Sequence, residues 1–172
     1  MKEPQEAIRL FNVGIKNKVV ASHQMNHASS WSHCIFTVSL TITDPANIDN
    51  VIHSKLQLVD LAGSERVGMT GSTGVAYQES IDINKSLLTL RKVITCLAEI
   101  KQNKKNIPHI PYWESKLTSL LKQSLGGNSY CLMIACVCPA DNYSDENIST
   151  LTYATKASYI ANDPKRNDDP KM

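Results

Sequence analysis

The sequence predicts an α/β fold in which helices and strands alternate along the chain. Three observations predict this class: two strand-like segments within residues 33–59, three helical patterns with apolar stripes, and a continuous apolar run at residues 130–138. The length of 172 residues fits one domain or part of a larger one. Apolar residues make up 42%, charged residues 20%, and the net charge is +2, which excludes disordered and collagen-like chains.

The first half of the chain predicts one helix and a pair of strands. Residues 6–18 predict a helix, which Gly14 weakens. Residues 33–42 alternate in polarity and are rich in β-branched side chains, so they predict a strand. The Pro and Asx residues of 44–50 indicate a turn before a second strand at 53–59. We expect the two strands to pair antiparallel across a long loop.

The second half begins with two helical patterns. The apolar stripe of the first, long helix consists of Leu87, Leu90, Val93, Ile94 and Leu97. A shorter helix at 114–124 presents Leu117, Leu120 and Leu121 to the core. The Gly126-Gly127 pair that follows is typical of a glycine C-cap.

A buried strand and a last helix complete the predicted elements. Residues 130–138 are apolar without alternation, which predicts a strand buried on both faces. Ser144 can cap a helix that runs to about residue 161, with acidic residues in its first turn. The core positions expected on this helix are Ile148, Leu151, Ala154 and Ile160. The polar residues 163–172 predict a tail.

Cysteine usage and hydropathy indicate the cellular compartment in which we expect the chain. The five cysteines show no zinc-ligand spacing, and three lie in the apolar run, so we expect reduced core thiols. The N-terminus lacks the apolar run of a secretion signal, and no segment is long enough to cross a bilayer. We therefore expect a cytoplasmic chain with neither membrane insertion nor a nucleic-acid partner.

Two segments carry the residue types of phosphate chemistry. The predicted second strand leads into D-x-x-G, where Asp60 could hold Mg²⁺ through water and Gly63 could bring its N–H close to a γ-phosphate. The alternative is a strand that leaves its sheet through a polar turn. Residues 26–33 offer the consecutive hydroxyls of Ser29 and Ser30, or equally an Asx and Ser turn. No phosphate-cradling G-x-x-x-x-G-K-[ST] is present.

Taken together and in this order, the motifs resemble the kinesin motor domain. The matching segments are NHASSWSHCIFTV for switch I, LVDLAGSERVGMTGSTG for switch II, INKSLLTLRKVITCLAE for the switch II helix, HIPYWESKLTSLLKQSLGGN for the microtubule-facing segment and ISTLTYATKA for the last helix. The resemblance implies a partial three-layer, P-loop NTPase-like motor domain with a mixed central sheet flanked by helices. Its N-terminal half, with the P-loop, would be absent.

The resemblance also implies domain organisation and partners. Residues 1–162 would be the C-terminal portion of a motor domain, and residues 163–172 the start of a neck linker. ATP and Mg²⁺ would be the cofactors, although we do not expect this chain to bind them alone. Tubulin in microtubules and the missing N-terminal half of the motor domain would be the partners, and the location would be the cytoskeleton.

The resemblance assigns nucleotide-site roles by position. The residues concerned are Asn26, Ser29, Ser30, Asp60, Gly63 and Glu65. Asn26 and the two serines would contact the nucleotide, and Ser30 and Asp60 would face the Mg²⁺ ion. Gly63 would sense the γ-phosphate, and Glu65 would close switch II against switch I.

The resemblance further assigns the switch helix and the filament face. Asn84 and Lys85 belong to its INKSL signature. The residues expected to meet acidic tubulin are Lys104, Lys105, His109, Tyr112 and Lys116. Such a contact between opposite charges should weaken as salt increases.

Three residues depart from the family pattern. Trp31 stands where the family has the switch I arginine that pairs with the acid matched by Glu65, and a Trp offers one N–H and no charge. Trp113 and Ser119 replace basic residues of the filament face. The sequence therefore leaves two alternatives open: part of an ATP-dependent microtubule motor, or a non-motor interaction module derived from a kinesin. It also predicts poor solubility, because half a sheet leaves an open edge.

Overall fold

The computed structural model describes residues 3–17, 32–63, 75–102 and 109–167. The part of the switch II match after Gly63, and Lys104 and Lys105 of the expected filament face, lie outside these residues. The chain divides into two compact units, residues 1–84 with 167–172 and residues 85–166. None of the described helices combines the length and the apolar character that crossing a bilayer requires.

The first unit begins with the predicted helix. Helix α1 spans Pro4–Asn17, close to the expected bounds, with Glu6 in its first turn and Lys16 in its last, as the helix dipole favours. It contacts the following strand through two aromatic rings. The centroids of Phe11 and Phe36 lie 5.3 Å apart at an interplanar angle of 85°, an edge-to-face pair.

The two predicted strands form an antiparallel hairpin. Strand β1 (Cys34–Asp44) pairs with β2 (Asn47–Asp60), and Cys34 lies opposite Asp60. The expected long loop is wrong, because only Pro45 and Ala46 separate the strands. The Asp44 carboxylate accepts a hydrogen bond from the Ala46 N–H at 2.9 Å, and this Asx turn closes the hairpin. The pairing then shifts, and β2 absorbs the extra residues of the predicted turn as an irregularity.

Helix α2 (Val75–Lys101) is the predicted long helix. Its apolar stripe is confirmed by burial, since Leu90, Val93 and Ile94 are at most 4% exposed. The boundary between the two units falls within this helix, after Asn84. The C-terminal half of α2 therefore supplies the core of the second unit.

The shorter predicted helix is divided in two. A 3-10 turn at Tyr112–Glu114 precedes α3 (Lys116–Leu120), because the extended backbone of Ser115 separates them. Ser115 caps α3 by accepting from the Thr118 N–H at 3.1 Å. Leu117 and Leu121 are buried as predicted, but Leu120 is 62% exposed. One short helix cannot turn all three leucines inward.

The predicted strand at residues 130–138 is absent from the described structure. These residues have no strand assignment, and the described sheet contains only β1 and β2. Tyr130, Leu132 and Ile134 are 91%, 86% and 79% exposed rather than buried. A strand needs a neighbour that takes up its backbone hydrogen bonds, and no described segment provides one here. The expected core thiols of Cys131, Cys136 and Cys138 are therefore exposed as well.

Helix α4 (Ser144–Ser158) is confirmed, but none of its residues is buried. Tyr143 occupies the N-cap position and makes no side-chain cap bond, so the predicted cap at Ser144 is wrong. Ile148 and Leu151 are 62% and 55% exposed, which contradicts their predicted place in the core. Long side chains instead link α4 to α2, where the Lys156 ammonium lies 3.4 Å from the Thr95 hydroxyl.

The start of the polar tail is held by hydrogen bonds to the glycine turn. The Asn162 side chain accepts from the Gly126 N–H at 2.7 Å and donates to the Ser124 carbonyl at 3.1 Å. The Asp163 N–H donates to the Gly127 carbonyl at 3.0 Å. This contact was not predicted, because a single Asn in an unpatterned tail carries no sequence signal.

Candidate functional site

The described part of the predicted nucleotide site lies at the end of β2. Asp60 is the last residue of the strand, and Gly63 follows three residues later in irregular backbone. Both residues are exposed. The other predicted members, Asn26, Ser29, Ser30 and Glu65, lie outside the described residues, as does Trp31.

His33 connects the start of β1 to this segment. Its Nδ1 accepts a hydrogen bond from the Ala62 N–H at 3.1 Å, which requires a neutral ring whose proton is on Nε2. The ring is half-buried, and desolvation lowers its pKa from the usual 6.5. His33 thus holds the backbone between Asp60 and Gly63.

These residues fit the sensing side of a Mg²⁺–nucleotide site. A carboxylate at a strand end suits Mg²⁺, which prefers oxygen ligands, and a glycine lets a backbone N–H approach a phosphate. Within the described ranges no three His, Cys, Asp or Glu side chains converge as a metal site. The fit therefore rests on Asp60 and Gly63, with the γ-phosphate and Mg²⁺ supplied by bound nucleotide.

The second candidate site is the segment from His109 to Leu125, which is built on Tyr112. The Tyr112 ring is 9% exposed, and its hydroxyl donates to the Leu125 carbonyl at 2.5 Å. Burial raises the pKa of this hydroxyl, so it stays a donor at neutral pH. Tyr112 was predicted to meet a filament, but it offers little surface to a partner and instead anchors the segment.

Hydroxyl groups fix the same turn from the other side. The Thr118 and Ser119 hydroxyls both donate to the Tyr112 carbonyl, at 2.7 and 3.1 Å. Thr118 is completely buried, so this hydrogen bond is shielded from water. Ser119, which stands where the family has a basic residue, therefore has a structural role in this chain.

Gly126 closes the segment against α2. Its φ of +81° is in the left-handed region, where glycine is strongly favoured. A Cβ at this position would lie 2.9 Å from Leu97 Cδ2 and 3.3 Å from the Tyr112 hydroxyl oxygen. The predicted glycine at the end of the helical region is thus required both by backbone conformation and by close packing.

Charged side chains line the exposed side of this segment. His109 and Lys116 are exposed, as predicted for a contact surface. Glu114 forms an ion pair with Lys92 of α2, with Nζ and Oε2 3.3 Å apart. Beside this pair, α2 and residues 109–114 border an open pocket of about 480 Å³. Lys104 and Lys105 lie outside the described residues.

The remaining predicted residues lie on α2. Asn84 is half-buried and Lys85 is exposed. Sequence reasoning missed Lys122, whose ammonium lies 5.1 Å from the centroid of the Trp113 ring. Trp113 and Lys122 are nine residues apart, and the chain between them includes part of a 3-10 turn and the five-residue helix α3. Such irregular backbone has no periodicity from which this contact could have been predicted.

The hairpin that ends in D-x-x-G and the long helix that follows it define the α/β class of this chain. A family model described as the kinesin motor domain matches residues 1–160. The chain is 45% identical over 171 residues to the chromosome-associated kinesin KIF4 of Xenopus laevis, covering 99% of this chain and 14% of that protein. It is 44% identical over 169 residues to the kinesin-like protein KIN-4A of Gossypium hirsutum, covering 91% and 16%.

Solved structures agree with these relatives. A KIF14 dimer in a two-heads-bound state, with AMP-PNP and in complex with a microtubule, matches with a TM-score of 0.88 at 44% identity, covering 98% of this chain and 47% of that chain. A structure described as a fast kinesin matches with a TM-score of 0.80 at 37% identity, covering 98% and 46%. The chain belongs to the kinesin motor domain family, which confirms the resemblance and the predicted fold class. It spans about half the length of the solved kinesin chains that it matches.

Proposed function

We propose that this chain provides the microtubule-binding and nucleotide-sensing part of a cytoskeletal kinesin motor. The observation that carries the proposal is the rigid platform made by Tyr112, Thr118 and Gly126, which presents Lys116 to solvent. The similarity of the chain to kinesins solved in complex with a microtubule supports tubulin as the partner.

The proposed binding surface consists of His109 and Lys116, together with Lys104 and Lys105, which the sequence alone assigns to it. The only carboxylate within residues 109–124, that of Glu114, is paired with Lys92, so Lys116 and Lys122 leave this segment positive. A positive surface attracts an acidic filament and speeds its association, and salt screens the attraction. Tyr112 contributes by positioning this surface rather than by touching the filament.

On the nucleotide side, we propose sensing without independent turnover. Asp60 would hold the Mg²⁺ shell through water with Ser30, while Gly63, Ser29 and Asn26 would contact the phosphates, and Glu65 would complete the switch. The sequence contains no G-x-x-x-x-G-K-[ST] loop to hold the phosphates. We therefore expect ATP binding only together with a companion segment equivalent to the N-terminal half of a motor domain.

The exposed apolar residues support such a companion. Residues 130–138, which are apolar and have no strand partner in the described structure, could pair with a strand that the companion provides. Residues 1–162 would then complete a motor domain, and residues 163–172 would begin a neck linker.

Co-sedimentation with taxol-stabilised microtubules tests the proposal. We expect binding that weakens as salt rises, and a loss of about two- to fivefold in affinity for Lys116→Ala, the usual range for one exposed charge pair. Lys55→Ala, which removes an equal charge from β2, is the matched control and should bind like the wild type. A microtubule affinity that changes neither with salt nor in Lys116→Ala would contradict the proposed surface.

A parallel titration with Mg-ATP tests the nucleotide side. The isolated chain should show no detectable binding, and micromolar affinity would contradict the need for a companion. The chain could bind microtubules in a salt-dependent way and still fail to bind nucleotide after the companion segment is added. That result would favour the alternative, a non-motor interaction module.

A further inference from the structure

The most exposed large side chain near the proposed filament surface is Trp113, and it is not isolated. Its indole is 69% exposed in the 3-10 turn Tyr112–Glu114. The Lys122 ammonium lies 5.1 Å from the Trp113 ring centroid and 5.9 Å from the Tyr112 ring centroid. Both distances are within the range of a cation–π contact, so two rings hold one cation.

The surrounding hydrogen bonds keep this arrangement in place. The buried Tyr112 is fixed by its hydroxyl to Leu125, and the Thr118 hydroxyl fixes its carbonyl. A lysine that is already held over two rings loses less rotamer freedom when it meets a partner than a solvated lysine does. The Lys122 ammonium has three N–H donors, and its contact with the rings uses none of them in a conventional hydrogen bond.

The charge around Trp113 selects an acidic partner. The adjacent Glu114 is paired with Lys92 at 3.3 Å, so its carboxylate is compensated. Lys116 and Lys122 are both exposed and leave a net positive surface beside the indole. A large exposed Trp next to a held cation has the composition of an interface hot spot rather than of a plain charged rim.

We propose that Trp113 and Lys122 form one contact point that binds a carboxylate-rich surface of the microtubule. The Trp113 ring packs on the filament, while the Lys122 ammonium donates to its carboxylates. This inference rests on the proposed function. It adds Lys122, which the motif pattern does not assign, and it gives Trp113 a binding role although Trp113 replaces a basic residue of the filament face. An arginine combines a flat surface and a positive charge in one side chain. Here Trp113 supplies the flat surface and Lys122 supplies the charge.

Microtubule affinities of variants at the two positions test the proposal. We expect Trp113→Ala and Lys122→Gln each to weaken binding by about two- to fivefold, the range of an exposed cation–π contact. The double variant should lose less than the product of the two single losses, because each change also removes the contact that positions the other side chain. Trp113→Phe and Lys122→Arg keep a ring and a cation, so they should bind within about twofold of the wild type.

The controls separate this inference from the proposed function. Lys55→Ala removes one charge from β2 and should leave affinity unchanged, and the urea midpoint of every variant should match the wild type. Wild-type affinity in both Trp113→Ala and Lys122→Gln, with weakened binding in Lys116→Ala, would overturn the contact point while the proposed surface stands. Losses that simply multiply in the double variant would overturn the pairing. Absence of microtubule binding by the wild type would overturn both proposals.

Discussion

His33 controls the backbone beside the proposed nucleotide-sensing residues through a single hydrogen bond. The Ala62 N–H donates to its Nδ1, so Nδ1 must carry no proton. Burial lowers the pKa of His33, and the folded state therefore favours the neutral ring more than the unfolded chain does. A proton on Nδ1 would turn the acceptor into a donor facing another donor.

The stability of the first unit should consequently depend on pH. The stabilisation by His33 is complete above its unfolded pKa of 6.5 and is lost as the pH falls through the lower folded pKa. The loss of this hydrogen bond should cost about 0.5–1.5 kcal/mol. Hydrogen exchange of the peptide that contains Ala62, corrected for intrinsic rates, should show weaker protection at about pH 5.5 than at about pH 7.5.

The control for this prediction keeps an acceptor and removes the titration. In His33→Asn, the amide oxygen can accept from the Ala62 N–H at either pH, so protection should vary less with pH than in the wild type. Equal pH dependence in the two proteins would show that another group is responsible.

At the scale of a residue, the sequence predicted which residues are important better than it predicted what each of them does. The motif that contains Tyr112 correctly indicated an important segment, but the burial of its ring depends on Leu125 and Gly126, which lie more than ten residues further along the chain. Lys122 was missed for the same reason, because its two aromatic partners are brought near only by the turn before α3. Contacts across irregular backbone have no periodicity from which to predict them.

A helix and a turn differ in what their glycines do, and this gives a matched pair of substitutions. Gly14 lies inside α1, and a Cβ there would meet nothing within 4 Å. Gly126 has a φ of +81°, and its Cβ would lie 2.9 Å from Leu97 Cδ2. The same chemical change therefore has opposite consequences in the two elements.

We expect Gly14→Ala to stabilise α1 by up to about 1 kcal/mol, because alanine restricts the unfolded chain and favours helix. Gly126→Ala should destabilise the protein by about 1–3 kcal/mol, from backbone strain and from displacement of Leu97. Urea unfolding followed by circular dichroism measures both changes. A neutral Gly126→Ala would contradict the close packing of this turn against α2.

Elements with a local cause were predictable, whereas elements that need a distant partner were not. The α2 stripe and the β1–β2 hairpin follow from periodicity and turn residues within each segment. The bounds of α3 depended on the extended conformation of Ser115. No residue of α4 is buried, because only long side chains link this helix to α2. The apolar run at 130–138 predicts a strand only if some other segment pairs with it.

At the scale of the whole molecule, the apolar surface is the feature that decides behaviour in solution. Tyr130, Leu132 and Ile134 are among the most exposed large apolar side chains described. They lie at alternate positions of a segment that has no strand partner in the described structure. A segment that exposes apolar side chains and has no strand partner is a template for association with another chain.

This surface predicts that the isolated chain self-associates, and that Leu132→Lys reduces the association. Leu132 is 86% exposed, so a lysine there should leave folding unchanged while its charge opposes pairing between copies. Leu90→Lys is the matched control, since Leu90 is 4% exposed and a lysine in its place would unfold the core. Sedimentation velocity over a range of concentrations measures both. A wild-type chain that stays a monodisperse monomer with a sharp thermal transition would contradict the prediction, because an open apolar segment would then need no companion to cover it.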